Sequence, residues 1–155
     1  MGQMQVVIFK IEEERYGVPI HQVQSIERWM ETTRVPKTLS FIKGVVNLRG
    51  TITPVIDVRE RFGMSTKEAD DDTRIVVVGI DAMTVGMVVD AVLDVVMVDE
   101  EEVKEPPRVV GGVAAEYLNG VVSLASGVLV LLNLGRILSD VEERQLREVE
   151  KSVHG

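Results

Sequence analysis

The chain repeats itself, and this internal duplication limits the folds that are open to it. The segment Val6–Ile26 aligns with Ile75–Val95 without a gap, and Phe41–Phe62 aligns with Tyr117–Leu138, also without a gap. Repeats of this kind indicate repeated structural units that pack against one another. We therefore expect two similar folded units. Aligned glycines support the register: Gly17 with Gly86, and Gly44 with Gly120.

Composition and patterning favour β-structure in each copy. Hydrophobic residues make up 45% of the sequence but aromatic residues only 4%, and the abundant valine suits a pleated strand. In the first copy we expect strands at Val6–Ile11, from Tyr16 to Pro19 and around Ser25–Met30. About five short strands per copy, with no helix long enough for a crossover, predict two small closed or half-open barrels.

A tight hairpin is predicted in the second half of the first copy. Its arms are Lys43–Leu48 and Thr51–Ile56, and its turn is Arg49-Gly50, where glycine supplies the positive φ that such turns need. Pro54 lies inside the second arm. Because proline donates no backbone hydrogen bond, it predicts an edge strand or a bulge there.

Two helices are predicted from capping boxes, in which a short polar residue is followed three positions later by glutamate. Asp57 predicts a short helix over Val58–Phe62, and Ser139 predicts a C-terminal surface helix over Ser139–Val153. Residues 64–73 read as the linker between the copies.

The sequence contains no recognisable catalytic, metal-binding or cofactor-binding pattern. It has no cysteine, and its two histidines, His21 and His154, lack neighbouring ligands. The acidic runs Asp70–Asp72 and Asp99–Glu102 lack the ligand spacing of a calcium loop and are interpreted as solvated turns. The net charge of −8 disfavours nucleic acid as a partner. We expect no enzyme activity, no metal, no cofactor and no direct membrane insertion.

Residues that differ between the copies are candidates for function, because shared residues must serve the common fold. Arg49, at the hairpin tip, aligns with Ala125, and its guanidinium could offer a planar fork to a partner's carboxylate. An ordinary exposed arginine is the alternative. Trp29, the single tryptophan, is either a core residue or an interface anchor.

Several motifs resemble the CheW family of bacterial chemotaxis coupling proteins. They are Lys43–Gly50, Pro54–Asp57 and Arg61–Gly63, with Tyr16–Ile20, Val85–Asp90 and Leu129–Leu134. The resemblance implies an all-β fold with two tandem five-stranded SH3-like β-barrels, short connecting helices and a C-terminal helix. It implies one CheW-like domain over residues 1–155. Barrel 1 would span about residues 1–66 with exchanged ends, barrel 2 residues 73–138, and the helix residues 139–153.

The resemblance also implies a function. Members of the family are cytoplasmic adaptors, recruited to membrane-associated receptor arrays, that couple chemoreceptors to the histidine kinase CheA. The kinase's regulatory domain would dock against the first barrel, and a receptor's helical tip would lie between the barrels.

Site residues follow from the resemblance by position. The receptor-binding groove would contain Ile20, Val23, Arg49, Val92 and Val95, and the kinase contact would contain Trp29, Thr32, Val35 and Gly44. Many members have glutamate where this chain has Ser25, a position thought to support the arginine. Glu27 is a candidate substitute.

Alternatives to a chemotaxis adaptor remain open from the sequence. The chain could be a coupling protein of another sensory array, or a CheW-like domain of a larger signalling protein such as the kinase itself. A small β-barrel enzyme and a ligand-binding module are candidates from other classes, but neither has a motif in its favour.

Overall fold

A computed structural model describes residues 2–34, 41–80, 82–107, 109–110 and 113–137. The predicted C-terminal helix over residues 139–153, and the residues from Val35 to Ser40, lie outside the described residues.

Twelve strands and two short α-helices make up the described fold. The strands are β1 Gln3–Ile11, β2 Glu14–Pro19, β3 Val23–Arg28, β4 Ile42–Leu48, β5 Thr51–Asp57, β6 Arg74–Ile80, β7 Met83–Val89, β8 Ala91–Asp99, β9 Val109–Val110, β10 Val113–Ala114, β11 Leu118–Leu124 and β12 Gly127–Leu132. The helices are α1 Val58–Arg61 and α2 Leu134–Ile137. Short 3-10 turns lie at Ile20–Gln22, Glu100–Glu102 and Ala115–Tyr117.

Ten of these strands form two five-stranded sheets. Sheet 1 has the order β3-β6-β7-β5-β4, and sheet 2 has the order β11-β12-β2-β1-β8. The prediction of an all-β fold with two five-stranded units is confirmed. The remaining strands, β9 and β10, pair only with each other among the described residues.

The two copies of the repeat exchange hairpins. The β1–β2 hairpin of the first copy lies in sheet 2, beside β8 and β12 of the second copy, and the β6–β7 hairpin of the second copy lies in sheet 1. Parallel contacts join the exchanged hairpins to their sheets: Leu131 pairs with Gly17, and Val55 pairs with Gly86. These two pairs occupy aligned positions of the repeat, so the exchange is symmetric.

Among the described residues, one backbone bridge joins the two edge strands of each sheet. In sheet 1 the chain continues past β3, and Thr33 exchanges two hydrogen bonds of 2.9 Å with Val45 of β4. In sheet 2 the chain continues past β8, and Lys104 exchanges two hydrogen bonds of 2.9 Å with Val121 of β11. Each sheet therefore curls toward a barrel without being closed by a full strand ladder.

Glycine makes these bridges possible. A methyl group on Gly44 would overlap the carbonyl oxygen of Thr33, and one on Gly120 would overlap the side chain of Val103 and crowd the carbonyl of Lys104. The glycine pair that the repeat alignment identified is thus explained by close backbone approach.

The hydrophobic core runs between the two sheets. Its largest cluster includes Val7 and Phe9 of β1 and Val76 and Val78 of β6. The intervening side chains of β1 point the other way, and Ile8 belongs to a second cluster inside sheet 2. Because both faces of the central strands are buried, their sequences read as continuous apolar runs instead of alternating ones.

The predicted hairpin is confirmed. Of the two expectations for Pro54, the edge strand is wrong, but a bulge is present beside it: the β4–β5 ladder shifts register between Ile42 and Gly44, and the next pair is Val45 with Pro54. Its strand, β5, lies between β4 and β7. On the β4 side, Pro54 lies opposite Val45, whose backbone N–H and carbonyl are both bonded to Thr33 and not to Pro54. On the β7 side, the ladder begins only at Val55. The missing N–H is therefore not needed in either ladder.

The cap predicted at the start of α1 is present. The carboxylate of Asp57 accepts a hydrogen bond from the backbone N–H of Arg59 at 2.9 Å. The helix is one turn long and ends before Gly63, which has a φ of 79°.

Candidate partner-binding surfaces

Two valines from aligned positions of the repeat lie at the rim of the shared core. Val23 begins β3 opposite Val78, and Val92 lies on β8 opposite Phe9. Both are partly buried and pack against the cluster between the sheets. The structure therefore gives these two predicted groove residues equivalent environments on the two halves of the molecule.

More exposed apolar residues extend this rim along β3 and β8. Ile26 is opposite the core residue Val76, and Val95 is opposite the core residue Val7. Side chains directly opposite each other project from the same face of a sheet, so both belong to the core-facing side, yet each is 43% exposed. Ile20, in the 3-10 turn before β3, is 39% exposed. We call Ile20, Val23, Ile26, Val92 and Val95 the apolar rim.

Arg49 occupies the turn between β4 and β5 with a positive φ of 53°. Its side chain is 77% exposed, and its Nη2 lies 3.3 Å from Oε2 of Glu27 on β3. Glu27 therefore supplies the carboxylate that is absent at Ser25. An exposed pair of this kind contributes little stability, about 0–1 kcal/mol, so the guanidinium keeps most of its donors available to a partner.

Trp29 lies in a surface depression and not in the core. It is half-buried, and it lines a cavity of about 410 Å³ together with Arg28, Thr73 and Arg74, and with Asp70 and Asp71 of the linker. Arg74 is anchored there by hydrogen bonds of 2.8 Å to the carbonyl of Asp71 and 2.9 Å to that of Thr73. The indole is thus accessible from solvent beside charged groups of both signs.

Thr32 and Gly44, also in the predicted kinase contact, have structural roles on sheet 1. Thr32 donates a hydrogen bond of 3.2 Å to the carbonyl of Lys43, which holds the segment after β3 against β4. Gly44 is buried beneath the same segment, so it offers no side-chain surface. Val35 lies outside the described residues.

A cluster of charged groups that the sequence did not predict joins the two sheets. Arg59 of α1 donates to both carboxylate oxygens of Asp90, at 2.8 and 2.6 Å, and to Glu12 at 2.6 Å. Asp90 is the residue at which the chain passes from sheet 1 to sheet 2, and Glu12 is in the β1–β2 turn. The Arg59 and Asp90 side chains are only 11% and 12% exposed.

The electrostatics of this cluster favour its charged state. Burial raises the pKa of the Asp90 carboxyl, but hydrogen bonds from Arg59 and from the Glu12 backbone outweigh this effect, and the net pKa lies below the ordinary value. The hydrogen bond with Asp90 in turn raises the pKa of the Arg59 guanidinium. We call Arg59, Asp90 and Glu12 the crossover cluster.

Among the described residues, no group of three or more histidine, cysteine, aspartate or glutamate side chains is placed to hold a metal ion. In the same part of the chain, no helix has the length and hydropathy needed to cross a membrane.

Sequence reasoning named Glu27 as a candidate partner of Arg49, but it missed Ile26 and the crossover cluster. The repeat alignment did pair Ile26 with Val95, and that pairing was a sufficient signal to include it in the groove. For the crossover cluster no such signal exists, because its residues are far apart in sequence. In the repeat alignment Glu12 matches another carboxylate, Asp81, but Arg59 and Asp90 align with Gly135 and His21.

Comparisons with known proteins show the family and the fold. A family model described as CheW-like domain matches residues 5–142. A solved structure of the scaffolding protein TtCheW from Thermoanaerobacter tengcongensis superposes with a TM-score of 0.83 at 31% identity, covering 92% of each chain.

Curated relatives point the same way. The chain is 37% identical over 152 residues to chemotaxis protein CheW of Klebsiella aerogenes. This alignment covers 98% of the present chain and 91% of the relative. It is 31% identical to chemotaxis protein CheW of Treponema pallidum, covering 93% and 87%. It is also 33% identical to protein FrzA of Myxococcus xanthus, covering 88% and 86%. The chain therefore belongs to the family of CheW-like proteins.

Proposed function

We propose that this chain is a non-enzymatic adaptor that couples chemoreceptors to the histidine kinase CheA in bacterial chemotaxis. Membership of the CheW family supports the chemotaxis role. The observation that carries the proposal is the apolar rim, where Ile26 and Val95 lie on the core-facing side of their sheets but are each 43% exposed. Exposed apolar groups that form one contiguous surface usually mark an interaction site.

The apolar rim is the proposed receptor contact. A helical receptor tip would place an apolar stripe against Val23, Ile26, Val92 and Val95, in the manner of a helix in a groove. Arg49 would add directional contacts from the β4–β5 turn, because its guanidinium has donors beyond the one that meets Glu27. Ile20 extends the rim at the crossover from sheet 2 to sheet 1.

Sheet 1 is the proposed kinase contact. Trp29 offers a half-buried aromatic surface, the kind of residue that often dominates binding energy at an interface. Thr32 fixes the neighbouring backbone, and Gly44 acts through the Thr33–Val45 bridge and not by touching the kinase. Val35 completes the proposed set. The adaptor would act in the cytoplasm, held at membrane-associated receptor arrays by these two contacts.

Binding to the isolated regulatory domain of the kinase tests the adaptor role. We expect a complex in the micromolar range by isothermal titration calorimetry, weakened by Trp29→Ala and unchanged by Val95→Asp. The absence of a complex with the wild-type chain at high micromolar concentration would contradict the proposal.

Receptor-dependent control of the kinase tests the rim. Val95→Asp and Arg49→Glu should each reduce receptor control of kinase activity in a reconstituted assay, while kinase binding persists. Val128→Asp is the matched control, since Val128 is 51% exposed but its strand, β12, is three strands from β8, roughly 14 Å away. Normal coupling by Val95→Asp and Arg49→Glu would show that the rim has been misassigned.

A coupling protein of another sensory array is the second candidate. It stays open because the relative named protein FrzA, which is not named as a chemotaxis protein, is 33% identical to this chain, compared with 31% for the CheW of Treponema pallidum. Deletion of the gene separates the two functions: loss of chemotactic swimming behaviour supports the first, and normal chemotaxis supports the second.

A further inference from the structure

Asp90, where the chain passes from sheet 1 to sheet 2, is bonded to elements of both sheets. Its carboxylate accepts hydrogen bonds from the Arg59 guanidinium at 2.8 and 2.6 Å and from the backbone N–H of Glu12 at 2.8 Å. Its own backbone N–H donates to the carbonyl of Lys10 at 2.9 Å. Arg59 belongs to α1, directly after β5 of sheet 1, whereas Lys10 and Glu12 belong to the β1–β2 hairpin of sheet 2. One residue therefore joins the two sheets at their junction.

Arg59 is itself held on the sheet 1 side. Its backbone N–H donates to the carboxylate of Asp57 at 2.9 Å, and its carbonyl accepts a hydrogen bond from the N–H of Met64 at 2.8 Å. Its Nη1 also donates to the carbonyl of Ser65 at 3.1 Å. Because these bonds fix α1 and the segment after it, the guanidinium presents a preorganised fork to Asp90.

The shared hydrophobic core also joins the sheets, but it restrains them in a different way. Burial of apolar surface is non-directional and depends on the area removed from water. Two parallel hydrogen bonds from one guanidinium to one carboxylate define an orientation. The core therefore holds the sheets together, and the crossover cluster fixes the angle between them.

The other crossover between the sheets lacks a comparable restraint. Among the residues that the structure describes, no side chain caps the turn Ile20–Gln22, and no residue of that turn is buried. His21, which aligns with Asp90, is exposed. The restraint on the angle between the sheets is therefore concentrated at Asp90.

This restraint lies next to the apolar rim. Strand β8 starts directly after Asp90 and carries the rim residues Val92 and Val95, whereas Val23 and Ile26 are on β3 of sheet 1. A rotation of one sheet against the other about Asp90 would move these two walls relative to each other. The crossover cluster is therefore placed to set the separation of the walls.

We propose that Arg59 is a positioning residue for the receptor contact: it holds β8 at the distance from β3 that a receptor helix fits, without touching the receptor. The identity of the partner rests on the proposed function. The separation of the walls is a property of the free protein, and it can be measured without any partner.

Distances between two spin labels measure this separation. The sequence has no cysteine, so Arg28→Cys with Met97→Cys gives two defined labels. These exposed residues lie on β3 and β8, two positions beyond Ile26 and Val95, and are equivalent in the repeat. Double electron–electron resonance should give one narrow distance distribution in the otherwise wild-type chain, and a broader or shifted one when Arg59→Met is added.

Two further variants separate positioning from a loss of stability. Asp90→Asn keeps the size of the side chain but removes its charge, and it should change the distribution as Arg59→Met does. It carries the comparison if Arg59→Met does not fold. Val55→Ala is the stability control, because Val55 is buried in sheet 1 outside the cluster between the sheets. Its truncation should lower stability but leave the label distances as in wild type below the unfolding transition.

Receptor control of the kinase tests the consequence in unlabelled chains. Arg59→Met and Asp90→Asn should each raise the receptor concentration that gives half-maximal control roughly 2–30-fold, the range expected for residues that act without contacting the ligand. Val55→Ala should leave it unchanged. Binding of the kinase regulatory domain should persist in all three variants, since none of these residues lines the cavity beside Trp29.

Three results would overturn the positioning role of Arg59. They are unchanged label distances in both cluster variants, an equal change in Val55→Ala, and changed distances with normal receptor control. If the wild-type chain gave no receptor control at all, the proposed function would fail instead. The label distances would then still decide whether the bonds between Arg59 and Asp90 set the separation of the walls.

Discussion

At the scale of single residues, Gly44 and Gly127 illustrate two different reasons why a position requires glycine. Gly44 has a φ of 139° and lies against the Thr33 carbonyl, whereas Gly127 has a φ of 128° with no heavy atom within 4 Å of an added Cβ. Both positions disfavour a side chain through backbone conformation. Only Gly44 adds a steric conflict with the bridge that joins the edges of sheet 1.

The pair Gly44→Ala and Gly127→Ala isolates the cost of that conflict. Gly127→Ala should lower the free energy of unfolding by about 1–2 kcal/mol, the cost of an alanine in the left-handed region. Gly44→Ala should cost at least about 2 kcal/mol more, because the Thr33–Val45 bridge must open. Urea unfolding followed by circular dichroism measures both values. Equal losses would show that the bridge does not depend on Gly44.

At the scale of secondary-structure elements, the two crossovers between the sheets are held differently. The crossover at Asp90 is fixed by Arg59 and Glu12, whereas the crossover at Ile20–Gln22 exposes Ile20. Within the described residues, the position aligned with Asp90 is His21, which is exposed and has no aligned arginine. The crossover at Ile20–Gln22 belongs to the proposed receptor surface. The crossover at Asp90, which the ion pairs hold in place, does not.

Breaking the crossover cluster should destabilise the fold. Arg59→Met leaves the nearly buried carboxylate of Asp90 without its cation, and we expect a loss of about 3 kcal/mol in the free energy of unfolding. Arg49→Met is the matched control. The Arg49 side chain is 77% exposed where it pairs with Glu27 at 3.3 Å, so its removal should change the free energy by less than about 1 kcal/mol. Similar losses in the two variants would contradict the structural role of the cluster.

The same cluster predicts a dependence on pH. The folded-state pKa of Asp90 is lower than its ordinary value, so its contribution is fully present above about pH 4 and is lost as the pH falls through the folded-state pKa. Asp90→Asn should therefore be less stable than wild type at neutral pH, and the difference should shrink in acid. Thermal unfolding between pH 7 and about pH 2.5 measures this. A constant difference across that range would exclude the assigned linkage.

At the scale of the whole molecule, the exchange of hairpins makes the two sheets interdependent. Sheet 1 needs β6 and β7 from the second copy, and sheet 2 needs β1 and β2 from the first. The largest core cluster draws residues from both sheets. The repeat in the sequence is therefore not a boundary between two independently folding units, although the linker over residues 64–73 is largely exposed.

Cutting the chain in the exposed linker tests this interdependence. Separate fragments of residues 1–68 and 69–155 should each lack a cooperative unfolding transition, because each would expose strand edges and half of the shared core. When mixed or co-expressed, they should assemble into a complex with the circular dichroism and binding properties of the intact chain. Cooperative folding of either fragment alone as a monomer would contradict the prediction.

The sequence by itself determined the local structure and the repeat. Valine-rich runs specify strands, Arg49-Gly50 specifies a hairpin, and Asp57 caps α1, because these signals act over a few residues. The motifs around Gly44–Gly50 were also sufficient to indicate the family. The apolar rim was partly predictable, since Val23 and Val92 align within the repeat.

Only the tertiary structure decided which hairpin completes which sheet. The β1–β2 and β6–β7 hairpins have nearly the same apolar pattern, so the sequence cannot distinguish self-pairing from exchange. The crossover cluster follows from the exchange, because Glu12 lies in the turn of an exchanged hairpin and Asp90 lies between the two sheets. It joins residues far apart in sequence whose types carry no local signal. For the duplicated chain, local chemistry fixes the strands, and long-range packing fixes how the two copies combine.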